Sequence, residues 1–281
     1  MTARADTDGL AEALAGVEGW PVAHVAAAVV GPHGLITATG VRDRSFRLAS
    51  VTKLVLAYAC LVAVEEGTLD LDESAGPDGS TVRHLLAHAS GCGFDDGVLA
   101  PPGQRRIYSN VGMDLLARHL ADQVSMEVTA YISGAVLLPL GMDRTRLDPS
   151  APATGATATL DDLSRFAGEL LRPTLVGAET LAVATGVAFP GLDGVLPGVG
   201  VQRPNDWGLG FELRAHKTPH WTGATNSPAT FGHFGAAGTF LWVDPTINRA
   251  LVVLTDRAFG PWALEAWPEL SEAVVAASCA P

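Results

Sequence analysis

The chain has 281 residues, 48% of them hydrophobic and 17% charged, with a formal net charge of −12. This excludes a disordered chain and supplies a sizeable core, and the acidic balance speaks against nucleic acid or an anionic membrane as partner. The N-terminus lacks an apolar signal core, no run is long enough to span a bilayer, and Cys60, Cys92 and Cys279 show no metal spacing, so a reduced, cytoplasmic protein is expected.

In chain order, residues 9–17 place Leu10, Leu14 and Val17 at helical spacing. Residues 22–30 and 35–39 are apolar runs around Gly31-Pro32-His33-Gly34, which predicts a β-hairpin. Residues 54–64 hold neither a charge nor a helix breaker, and Glu65, Glu66 and Gly67 end them. At 3.6 residues per turn that run is apolar on every side, so its helix should be buried all round. A short helix is expected over 81–88 and two longer ones over 111–124 and 128–138. An amphipathic helix over 160–171 is capped by Thr159 or Asp161, and another short helix lies at 179–185. Residues 191–204 read as a glycine- and proline-rich loop. Strands follow at 207–213, 230–233, 239–243 and 251–255, and a helix at 262–277 closes the chain. This order predicts an α+β fold: one antiparallel sheet built from both chain ends, flanked by N- and C-terminal helices, with a helical lobe inserted. The expected division is 1–48 with 205–281 for the sheet lobe and 49–204 for the helical lobe, as one catalytic unit.

The buried helix begins with Ser50-Val51-Thr52-Lys53. Ser50 and Lys53 share a face at i, i+3. Burial lowers a lysine's pKa and makes it a proton acceptor, and a helix N-terminus offers free N–H groups to a developing anion. In isolation the same stretch also reads as an N-cap serine and a snorkelling lysine.

Other chemistries lack their residues. There is no Gly-x-Ser-x-Gly elbow, no phosphate-binding Gly-x-x-x-x-Gly-Lys and no His-Glu-x-x-His. The pairs His84/His88 and His216/His220 have i, i+4 spacing but no evident third ligand nearby, so they read as structural histidines and no metal is expected.

Ser50-x-x-Lys53, Tyr108-x-Asn110 and His233-Phe234-Gly235 occur in the order and placement of the penicillin-recognising serine hydrolases. The tyrosine of the second motif makes the chain resemble the class C β-lactamase group, with its DD-peptidases, D-amino-acid peptidases and family VIII carboxylesterases. Residues 85–91, Pro139-Leu140-Gly141-Met142, Trp207-Gly208-Leu209-Gly210 and residues 232–245 are also similar to that group. The resemblance implies a β-lactamase/transpeptidase-like fold and an acyl-enzyme on Ser50, with Lys53 as its base. It implies Tyr108 as proton shuttle, helped by Lys53 and Asn110, and the N–H groups of Ser50 and Ala236 as oxyanion donors. No cofactor is required. Tyr108 also reads as a core tyrosine and Asn110 as a helix N-cap.

The third motif departs from the family. His233 and Phe234 stand where a lysine and a threonine hold a substrate carboxylate. A histidine near its ordinary pKa of about 6.5 is mostly neutral at pH 7, and phenylalanine has no hydroxyl. The expectation is therefore a carboxylesterase acting on small neutral esters, with Phe234 in the substrate pocket and His233, Gly235 and Asn110 in support. The alternatives are an amidase or D-amino-acid peptidase, a weak β-lactamase, and a non-catalytic binding module on the same fold.

Overall fold

The computed structural model describes residues 2–279. Helix α1 (Thr2–Ala15) and a 3₁₀ turn (Gly16–Gly19) lead into strands β1 (Val25–Gly31) and β2 (Gly34–Gly40). β3 (Phe46–Arg47) precedes a second 3₁₀ turn (Ala49–Val51), which runs directly into α2 (Thr52–Glu65). Next come α3 (Val82–Leu86), β4 (Arg106–Ile107), α4 (Asn110–Val124) and α5 (Val128–Ile132), the last continuing as a π-helical turn (Ser133–Leu137). β5 (Thr157–Ala158), α6 (Leu160–Leu171), α7 (Ala178–Ala184), β6 (Gly194–Leu196) and β7 (Gly200–Gln202) follow. β8 (Glu212–Leu213), β9 (Phe231–Gly235), β10 (Thr239–Asp244), β11 (Arg249–Thr255) and α8 (Pro261–Ser278) complete the chain.

The main sheet has six strands in the order β2-β1-β11-β10-β9-β8, every pair antiparallel. β1 pairs with β11 from Val25↔Thr255 to Val30↔Ala250, so strands from opposite ends of the chain are neighbours inside the sheet. Alternation sorts the side chains between two cores. Ala26, Ala28, Val30, Leu241, Val252 and Leu254 join α2 and α6 on one face. Ala27, Val29, Phe240, Trp242, Leu251 and Val253 join Leu10 and Leu14 of α1 and Trp267 and Val274 of α8 on the other. Both faces are covered over β1, β11 and β10, so these strands are buried along nearly all their length and read as continuous apolar runs, whereas the edge strand β2 stays partly exposed.

α2 is buried from Thr52 to Ala63. Its C-terminus is a Schellman cap: Gly67, at φ +74°, donates to Val64 O, and Thr68 N–H donates to Ala63 O. The segment that contains Trp207-Gly208-Leu209-Gly210 packs tightly. A Cβ on Gly208 would stand 2.0 Å from Ala184 O, and one on Gly210 would stand 2.2 Å from the Ala57 Cβ. Only glycine lets this chain pass between α7 and α2.

Several expectations change. Residues 191–204 are not a plain loop: β6 and β7 form a hairpin whose first strand lies parallel to β4. The strand expected over 207–213 shrinks to Glu212–Leu213 with one bridge from Trp207, because those two glycines turn the backbone. The N-cap of α4 is Ser109, whose hydroxyl accepts from Gly112 N–H, and Asn110 is already helical. Thr159 caps α6 through Asp162 N–H.

Candidate active site

The Ser50 turn is anchored to the sheet. Thr239 of β10 donates its hydroxyl to Leu48 O at 2.9 Å. Gly235 of β9 lies so close that a Cβ there would stand 2.2 Å from the same oxygen. The missing side chain therefore lets the end of β9, and Ala236 beyond it, lie beside Ser50. Ala49 takes φ +46°, a left-handed conformation costly for a residue with a Cβ, immediately before the serine.

Around the Ser50 hydroxyl the structure brings together groups from distant parts of the chain. Lys53 Nζ lies 3.2 Å from Ser50 Oγ and 2.8 Å from Asn110 Oδ1, and reaches Ala153 O at 3.4 Å. The Tyr108 hydroxyl donates to Ser50 Oγ at 2.7 Å. Asn110 Nδ2 donates to Asp95 Oδ1 at 3.0 Å. Lys53 has no exposed surface. Burial pulls its pKa down to about 7, against the opposing pull of Asp114 and Asp95. The lysine is thus poised between its neutral and charged forms, and when neutral it offers a lone pair to the hydroxyl proton. Burial raises Tyr108, which stays a phenol and a donor.

A cavity of about 80 Å³ opens beside Ser50, walled by Phe94, Tyr108, Leu196, Trp207 and Phe234, with Ala236 at its edge. His233 is buried in its wall. Burial and the nearby Lys53 pull its pKa to about 3, so the ring is neutral. Its Nδ1–H donates to Phe234 O at 2.6 Å, which leaves Nε2 an acceptor. Phe234 serves two surfaces, lining the cavity and packing against Phe259 and Trp267 in the core under α8.

The structure gives roles at the site to residues that the sequence suggests only as structural histidines or supporting stretches. His88 accepts the Ser109 N–H at its Nδ1 and lies under the Tyr108 ring at 4.7 Å, so it orients the Tyr108 loop. Its partner at i, i+4, His84, is in the α3 cap instead. Trp207 packs against Tyr108, His88 and His233.

Glu212 is the largest omission. The expectation that His220 has no carboxylate nearby is corrected: its Nε2 lies 3.0 Å from Glu212 Oε2, while His216 is exposed. Lys217 Nζ is paired with the same carboxylate and donates to Asp206 O at 2.7 Å, and Trp221 Nε1 donates to Glu212 at 3.0 Å. The one visible signal is an acid inside the otherwise apolar stretch 207–213; Lys217 carries none. Burial alone would raise the Glu212 carboxyl, but Lys217 and His220 hold it at about 2. A carboxyl held below its ordinary value stabilises the fold at neutral pH, and that contribution is lost as pH falls from the ordinary carboxylate range through about 2. Lys217→Met strands this buried charge. It is expected to cost about 3–5 kcal/mol in denaturant unfolding at neutral pH, and that deficit should shrink as pH falls, because without Lys217 burial raises the carboxyl and acid neutralises it. Adding Glu212→Gln should recover part of the loss; an unchanged midpoint in Lys217→Met would show that the pair contributes nothing.

Comparison with known proteins places this geometry. The family model described as Beta-lactamase matches residues 18–275. The solved structure of a beta-lactamase from Mycobacterium bovis is 57% identical, covers 95% of this chain and all of its own, and superposes with a TM-score of 0.94. EstCE1, a hydrolase with promiscuous acyltransferase activity, is 17% identical with a TM-score of 0.78 over 98% of this chain and 99% of its own, a likeness of fold. A curated relative, beta-lactamase-like protein 2 of Dictyostelium discoideum, is 29% identical over 140 residues, and the match spans 36% of this chain and 26% of that protein. No helix among the described residues is long and apolar enough to cross a membrane. With its six-stranded antiparallel sheet between terminal helices and the family model matching nearly end to end, the chain belongs to the Beta-lactamase family.

Proposed function

We propose that this serine hydrolase of the beta-lactamase fold is a carboxylesterase that turns over small neutral esters through an acyl-Ser50 intermediate. Ser50 Oγ attacks the ester carbonyl and its proton passes to neutral Lys53. The oxyanion is received by the N–H groups of Ser50 and Ala236. As the C–O bond to the alcohol breaks, Tyr108 gives the departing oxygen a proton and is recharged from Lys53. Water then attacks the acyl carbonyl, its proton passes through Tyr108 and Lys53 to Ser50 Oγ as the acyl C–Oγ bond breaks, and the acid leaves.

The observation that carries the ester reading is the wall of the cavity. Its third-motif histidine is neutral, offers an acceptor rather than a cation, and is followed by an apolar ring. A carboxylate placed there loses its hydration without gaining a charged partner. The fold shared with EstCE1, a hydrolase, fits this reading. A second reading, β-lactam hydrolysis, is favoured by the 57% identity to the M. bovis beta-lactamase.

A panel of short p-nitrophenyl esters, the matching anilides and nitrocefin separates these readings. The esters are expected to give a kcat/KM at least about tenfold above nitrocefin, consistent with the loss of one charge-assisted hydrogen bond to a carboxylate. A protein that prefers nitrocefin is a β-lactamase, and one that prefers anilides is an amidase. A fluorophosphonate probe that leaves Ser50 unlabelled would point to a binding module.

A further inference from the structure

The small cavity is not the only space at Ser50. A larger cleft of about 500 Å³ adjoins it, and Ala236 lines both. Ala49, which precedes the serine, lines the larger one. Their walls differ in character. The small cavity is mostly aromatic and aliphatic, with the buried Glu212 and His233 in its wall and no cation among its lining residues, whereas the cleft is lined by Arg44 and Arg47 together with Asp256. Both arginines are exposed, and neither forms an ion pair among the described residues. Other arginines of the chain do: Arg42 pairs with Asp161, Arg83 with Asp72, and Arg165 with Asp162. The carboxylate in the cleft, Asp256, is engaged by His24 through both backbone N–H and ring. Nearby Asp43 faces Arg144 at 3.4 Å. In a chain of net charge −12, two arginines without an ion pair outnumber the one carboxylate of the cleft, and this local excess of positive charge attracts anions.

We infer that the cleft beyond Ala236 binds an anionic group of the substrate, so that the natural ester joins an apolar part, held in the aromatic cavity, to a carboxylate- or phosphate-bearing part read by Arg44 and Arg47. This rests on the esterase reading and replaces its wholly neutral substrate with one that is uncharged where it meets His233 and Phe234 and negative where it emerges over Ala49. Planar guanidinium groups suit the bidentate geometry of both anions.

The test uses ester pairs that differ only in charge, with the anion on either side of the scissile bond. Phenyl hemisuccinate is compared with phenyl butyrate, and 4-butyryloxybenzoate with 4-butyryloxybenzamide. Arg44→Gln/Arg47→Gln keeps side-chain length and leaves Ser50, Lys53 and Tyr108 untouched. The double variant should lower kcat/KM about tenfold for the anionic member of at least one pair and leave the neutral esters unchanged. That preference should fade as salt rises from about 50 to about 300 mM. If the anionic-to-neutral ratio is the same in parent and variant for both pairs, the inference is wrong. Equilibrium binding of the same compounds to Ser50→Ala protein gives an arm that needs no turnover. Preferential binding of the anions there, lost in the added arginine variant, with no hydrolysis by the parent, would sink the esterase reading and keep the cleft. Hydrolysis by the parent without that preference would do the reverse.

Discussion

Ser50→Ala is expected to lower kcat/KM for a short ester by about 10⁴-fold or more, because the acyl-enzyme has no other oxygen on which to form. The fold should persist. Ser50 is only partly buried, and its hydroxyl receives the Lys53 and Tyr108 hydrogen bonds beside an open cavity. Circular dichroism and the unfolding midpoint should therefore stay near those of the parent. Mass spectrometry of the parent quenched during turnover should show an acyl adduct on Ser50 that the variant lacks. A folded variant within about tenfold of the parent would remove the hydrolase mechanism altogether.

Lys53→Met is expected to cost about 10³-fold in kcat/KM, within the range of a lost general base, and the parent's pH profile should show why. With the lysine pulled to about 7, kcat/KM should rise with pH along a limb centred there as the amine becomes neutral. Asp95 holds that value up, so Asp95→Asn should move the limb to lower pH while Asn110 keeps an acceptor. Stability should change with the same sign as at Glu212, falling as pH falls, but in a higher window. Between about 7 and the ordinary lysine value of 10.5 the unfolded chain binds a proton that the folded chain does not. Lys53 therefore costs the fold stability as pH falls through that window, and the cost levels off below about 7. The unfolding free energy of Lys53→Met relative to the parent should shift in the variant's favour over the same range. A flat pH–rate profile through neutrality, or a relative stability that does not move, would leave the lysine as a buried structural cation.

Much of this arrangement was legible in the chain, and the reasons can be located. The uncharged run 54–64 allows only a helix buried on all sides, and the structure buries Thr52 to Ala63. The hairpin at Gly31-Pro32-His33-Gly34 and the apolar strands near the C-terminus gave the sheet, because a strand covered on both faces has no polar positions to confuse the reading. What stayed hidden depends on contacts between distant segments. Glu212, Lys217 and His220 make sense only once a loop folds the ammonium and imidazole back onto the acid. The hairpin of β6 and β7 forms because Arg106 and Ile107 offer it an edge, which the local glycines do not reveal. The value near 7 for Lys53 depends on how completely its surroundings exclude water, and no spacing rule contains that. Asp95 holds Asn110 from the preceding loop, and Ala153 holds Lys53 from a hundred residues away.

The pairing of β1 with β11 governs the order in which the molecule can be made. A nascent chain exposes the β1–β2 hairpin early, yet its central partner emerges only after more than two hundred further residues have been synthesised. Until then the β1 edge is an open template for other strands, and its side chains are alanines and valines with no charge to deter them. Closure across so long a sequence separation is slow relative to the local helix contacts that precede it. Ribosome-stalled chains ending before residue 249 should accordingly be protease-sensitive and prone to aggregate, whereas chains with β11 and α8 clear of the exit tunnel should acquire protection in a single late step.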